Sequence, residues 1–135
     1  MAQRMIGVKV SITRYVSDEP QPGIVECEFP DAHGRHWKFV EKTAIISTEN
    51  LDARTNYPRP GVIACEIAGR NIDTGGREII VVNTERPWCV ETVDGSTQFE
   101  VLRDSLVEWE WGSTIERVWD GRAEPSVAPD CGGTT

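Results

Sequence analysis

Apolar residues on every second position constrain this chain more than any motif in it. Ile6, Val8, Val10, Ile12 and Val16 alternate with Gly7, Lys9, Ser11, Thr13 and Tyr15, with Arg14 the one break. Period two over that length marks an extended strand with one buried face, because an amphipathic helix repeats its apolar residues every three to four positions. The pattern recurs along the chain. Val25, Cys27 and Phe29 oppose Glu26 and Glu28, and Trp37 and Phe39 oppose Lys38. Val40-Glu41-Lys42 then breaks the alternation before the apolar Ala44-Ile45-Ile46, and a bulge or sharp bend is expected near Glu41.

Further strands are expected over Val62 to Ile67, Trp88 to Val93 and Thr97 to Val101, the last two flanking Asp94-Gly95, a dipeptide favoured in tight hairpins. Glu78-Ile79-Ile80-Val81-Val82 is apolar on both faces and reads as a central, covered strand. Val107, Trp109 and Trp111 alternate with Glu108 and Glu110, which places the tryptophans toward the core and the glutamates outside, with Glu26 and Glu28. Asp18-Glu19-Pro20-Gln21-Pro22-Gly23, Tyr57-Pro58-Arg59-Pro60-Gly61 and Gly75-Gly76 supply turns, and Asn50 to Arg54 a short helical turn. Ser113 and Glu116 have capping-box spacing, Ile115, Val118 and Trp119 fall at helical intervals, and Gly121 stands where a helix would stop.

These segments predict an all-β fold, a small curled antiparallel barrel of six or seven short strands, with a short C-terminal helix and a loose tail. Residues 1–121 are read as a single domain and 122–135 as a flexible C-terminal tail rich in Pro, Gly and small residues. The helix is expected to close one end of its own barrel, with docking of a partner through Trp119 as the alternative.

The formal net charge is −8, from 14 basic and 22 acidic residues. That sign opposes binding to nucleic acid or to an anionic membrane, and no linear run of Lys and Arg offsets it. From Ser96 onward three basic residues face eight acidic ones, a distribution suited to a basic protein partner. No apolar run approaches the roughly 18–20 residues of a bilayer span, and Met1 to Met5 leads straight into the alternation without an apolar signal core. A cytoplasmic setting is expected.

Chemistry-bearing residues are few. His33 and His36 share the turn Asp31-Ala32-His33-Gly34-Arg35-His36, and with Asp31 they form the one cluster able to exchange protons or hold a metal such as zinc near neutral pH. Residues three apart on a straight strand point to opposite faces, so the rings converge only if Gly34 folds the turn tightly. The four cysteines, Cys27, Cys65, Cys89 and Cys131, form no C-x-x-C pair, and Cys27 and Cys65 sit on apolar faces as buried hydrophobes. Arg59 in its proline-rich turn, with Arg86 and Trp88, offers a guanidinium-and-aromatic grip for a small ligand at a barrel mouth. Nucleotide-binding, hydrolase and zinc-protease signatures are missing. The sequence therefore reads as a non-enzymatic acidic β-domain acting in protein interaction. A small metal-binding protein or metal-dependent enzyme using Asp31, His33 and His36, and small-ligand binding at the barrel mouth, are the alternatives.

Overall fold

The computed structural model describes residues 4–110 and 115–122. Eight strands form within them: β1 Arg4–Ser17, β2 Ile24–Pro30, β3 His36–Lys42, β4 Arg59–Ile72, β5 Glu78–Asn83, β6 Gln98–Leu102, β7 Leu106–Glu110 and the two-residue β8 Arg117–Val118. A four-residue helix, α1 Thr43–Ile46, and a single 3-10 turn, Arg103–Ser105, are the helical elements among the described residues. All pairings are antiparallel, in the order β3-β2-β1-β4-β5-β6, with β7 joined to β1 and β8 to β7. The sheet curls into a half-barrel, so the all-β antiparallel architecture legible in the sequence is the one observed.

The curl follows from how the two long strands are shared. The first half of β1 pairs with β7, its second half with β2, and its middle with β4. Register shifts fall between Ile12 and Arg14 and between Tyr15 and Ser17, where Arg14 interrupts the alternation. Beyond that point the faces exchange: Val16 is exposed and Tyr15 half-buried, opposite to the simple continuation of the pattern. Similarly, β4 gives its first half to β1 and its second to β5, shifting between Ile67 and Gly69. The bend expected near Glu41 is not a bulge. The β2–β3 register runs unbroken from Ile24↔Lys42 to Pro30↔His36, and the loss of alternation marks the strand giving way to α1.

Ile6, Val8, Val10, Ile12, Val25, Cys27, Ile63, Ile80, Val82 and Leu106 fill the concave side of the sheet. At the outer strands, Phe29, Phe39 and Phe99 join them, with Phe99 meeting Phe29 edge-on at 5.4 Å and Trp37 at 5.0 Å. Burial of each phenylalanine contributes about 2 kcal/mol. β3 and β6 share no ladder, yet Ala32 N donates to Glu100 O at 2.8 Å and Val93 N to Lys38 O at 3.0 Å, so loops stitch the seam that the strands leave open.

Three expectations are corrected. Trp88 to Val93 is a loop, because Cys89 turns to φ 57° and Val90 N returns to Thr84 O at 3.0 Å; the strand after it pairs with β5 instead. The Asp94-Gly95 turn itself is present, with Gly95 at φ 86° and Thr92 N bonded to Ser96 O at 2.9 Å. Of the C-terminal helix, Ser113 lies outside the described residues, and the part that is described is extended: Arg117 and Val118 pair with Glu108 and Val107. One helical turn is marginal alone, and the extended path lets Trp119 reach the core, where it is 1% exposed. Glu108, expected outside, is also 1% exposed. Its neighbour Trp109 is half-buried on the other face of β7. Trp111, Cys131 and residues 123–135 of the expected tail lie outside the described residues. No helix among the described residues is long and apolar enough to cross a membrane.

Candidate functional site

The histidine turn is tight, as Gly34 allows: it sits at φ 82°, Gly34 N donates to Asp31 O at 3.1 Å, and Asp31 N to Arg35 O at 2.8 Å. Nevertheless the turn does not bring the rings together. His33 Nε2 lies 2.6 Å from Glu100 Oε1 on β6, whereas His36 Nδ1 lies 2.9 Å from Glu28 Oε1 on β2. Asp31 is occupied too. Its Oδ1 accepts from His33 N at 2.8 Å and Arg35 N at 3.0 Å, and its Oδ2 from Trp37 Nε1 at 2.9 Å. Burial raises the Asp31 pKa, but these hydrogen bonds outweigh it and hold the carboxyl below its ordinary value. Among the described residues no group of three His, Cys, Asp or Glu side chains is placed to share a metal. The turn is built as a seam clasp, with His33 reaching the opposite edge of the sheet.

Arg59 is occupied in the same way. Arg59 forms a two-point pair with Glu49, Nε to Oε1 at 2.9 Å and Nη2 to Oε2 at 2.6 Å, and each partner favours the other's charged form. Arg86 is exposed in the loop after β5. Trp119, the candidate partner residue of the alternative reading, is covered by the chain's own Arg70 and Arg103, whose guanidinium carbons lie 4.8 and 5.4 Å from its ring centroid.

The feature that sequence reading missed surrounds α1. This helix packs on β4 because Gly61 has no side chain: a Cβ there would stand 2.7 Å from Ile46 Cγ2 and 2.9 Å from Ile12 Cδ1. The rib from Ala44 to Glu49 separates two hollows. On one side Ile45, Val62, Trp88 and Trp109 line a groove of about 380 Å³ edged by Lys9, Glu49 and Glu116. On the other, Tyr15, Leu51, Asp18, Glu49 and Asp52 line a hollow of about 690 Å³. Desolvation, then Asp18 and Asp52, push the Tyr15 hydroxyl above its usual range. With Glu49 balanced by Arg59, the remaining lining charges are Asp18, Asp52 and Glu116 against Lys9. The two hollows together present aromatic surface under a negative field. Of the four residues expected to bind a ligand or partner, Trp88 alone contributes to this lining.

No family model, curated protein or solved structure matches this chain.

Proposed function

We propose that the chain is a non-enzymatic interaction module that receives a basic protein segment along the two hollows beside α1. The observation that carries this reading is the pairing of half-buried Trp88 and Trp109 in one hollow with Tyr15, Asp18 and Asp52 in the next. Aromatic side chains at an interface supply large contact area at low entropic cost, and a surrounding carboxylate field selects cationic partners and speeds their encounter. The overall charge of −8 works in the same direction. The separate engagement of His33 and His36 favours this reading over a metal site.

The test is a titration of the full chain with a lysine-rich peptide carrying one leucine, followed by tryptophan fluorescence. Binding should weaken as salt rises toward about 0.3 M, where screening becomes short-ranged, and Trp109→Ala should weaken it about tenfold or more, as loss of an aromatic anchor does. Absence of binding at low salt, or binding indifferent to Trp109→Ala, would reject the reading.

A further inference from the structure

The described C-terminal segment, Ile115 to Arg122, is held by one deeply placed side chain. Ile115 and Val118 are 72% and 75% exposed, Glu116, Arg117, Asp120 and Arg122 are also at the surface, and Trp119 is 1% exposed. Its ladder to the sheet is two residues long. The remaining attachments are polar. Glu108 Oε1 accepts from Asp120 N at 2.9 Å, Glu108 Oε2 lies 3.3 Å from Arg117 Nε and 3.6 Å from Arg4 Nε, and an Arg70 guanidinium N–H donates to Gly121 O. The indole satisfies its own polar atom inside the segment, donating to Arg122 O at 2.9 Å. The Trp119 ring is seated in the hydrophobic core with the guanidiniums of Arg70 and Arg103 stacked on it, and Arg4 lies 3.8 Å from the Asp120 carboxylate.

We propose that the seat of Trp119 is a peptide-binding socket which the chain occupies with its own terminal strap, and that a partner segment carrying an indole followed by a carboxylate displaces the strap. The partner chemistry is read from the occupant: the Trp119 ring lies against two guanidiniums, and the Asp120 carboxylate, which accepts from Arg122 of the strap itself at 2.6 Å, lies 3.8 Å from a third, Arg4. Segments with a short ladder and exposed, charge-based contacts open at lower free energy than the sheet beneath them. A competitor in trans has to overcome the effective concentration of the tethered strap, so removal of the indole in cis should reveal the socket. The socket arginines Arg4, Arg70 and Arg103 line neither hollow beside α1, although Glu116 of the strap edges one of them.

The experiment uses the full chain and a synthetic peptide with the sequence of residues 115–122. In the wild type, hydrogen exchange of the Trp119 and Asp120 amides should run roughly 100-fold faster than in the β1–β4 ladder, and faster again with millimolar peptide. The same peptide with alanine in place of tryptophan should have no such effect. The Trp119→Ala chain should bind the tryptophan peptide about tenfold or more tightly than the wild type, since the tethered competitor is gone. Exchange at the rate of the β1–β4 ladder, or an equal response to both peptides, overturns the proposal. The wild-type exchange arm decides the matter if Trp119→Ala does not fold.

Discussion

Trp37 Nε1 donates to Asp31 Oδ2 across 2.9 Å, so one carboxylate ties the turn between β2 and β3 to the ring that stands edge-on to Phe99. The same carboxylate accepts two backbone N–H groups of the turn. Trp37→Phe keeps most of the ring and removes one donor, and should cost about 1 kcal/mol. Asp31→Ala strands three donors at once and should cost about 2–3 kcal/mol. Urea unfolding of both variants checks the order. Because the folded pKa of Asp31 is depressed, its contribution is present above the unfolded carboxyl value and is lost as pH falls through the folded one. Asp31→Ala should therefore narrow its gap to the wild type in acid, and a gap that widens there would contradict the assignment.

At Gly7 the sheet leaves no room for a side chain. A Cβ there would stand 2.5 Å from Val62 Cγ1, 2.9 Å from the Ile63 carbonyl oxygen and 3.0 Å from Trp109. Gly7→Ala should thus cost about 1–3 kcal/mol through overpacking, and should disturb Trp109 fluorescence in the groove beside α1. Gly34→Ala meets nothing within 4 Å and should cost roughly 1 kcal/mol from its φ of 82° alone, without changing the tryptophan signal. Thermal melts with emission spectra separate the two mechanisms.

What the sequence made legible was the period-two faces, and what it concealed was contact between distant segments. Ile6, Val8, Val10, Ile12, Val25, Cys27 and Phe29 could be assigned to the core because a strand's geometry fixes which residues share a side. Glu108 misled for a related reason. Period two correctly put it opposite Trp109, but hydrophobicity chose the wrong face, since the partners that make its burial tolerable, Arg4 and Arg117, come from remote strands. The candidate site was less legible still. His33 finds Glu100 and Arg59 finds Glu49 across long or irregular connections, while the groove exists because Gly61 admits α1, a packing fact with no local signature.

Cys27 should be chemically silent in the folded protein. Burial first, then Glu41, Glu26 and Glu28, push its thiol up to about 12. A maleimide or disulfide reagent at pH 8 should modify it at the rate of unfolding, and modification at the rate of a free peptide thiol would show the burial to be wrong. The linkage has a definite sign. Between the ordinary thiol pKa and about 12 the unfolded chain releases a proton that the folded chain keeps, so stability falls as pH rises through that window. Cys27→Ala should flatten this part of the alkaline limb.

Glu108 offers the sharpest energetic contrast, because its two ion-pair partners differ in exposure. Its side chain is 1% exposed, Arg4 is 14% exposed and Arg117 is 51% exposed. Arg117→Ala removes a half-solvated partner while Arg4 continues to neutralise the carboxylate, and should cost under about 1 kcal/mol. Glu108→Ala removes the group that both arginines and Asp120 N share, leaving Arg4 largely desolvated, and should cost about 3 kcal/mol. Glu108→Gln keeps an oxygen for Asp120 N but turns an amide N–H₂ toward the guanidiniums, so it should fall between the two. Urea titrations of the three variants test that order. If Arg117→Ala proved as costly as Glu108→Ala, the buried carboxylate would depend on β8 rather than on β1, and Arg4 could not be its main counter-charge.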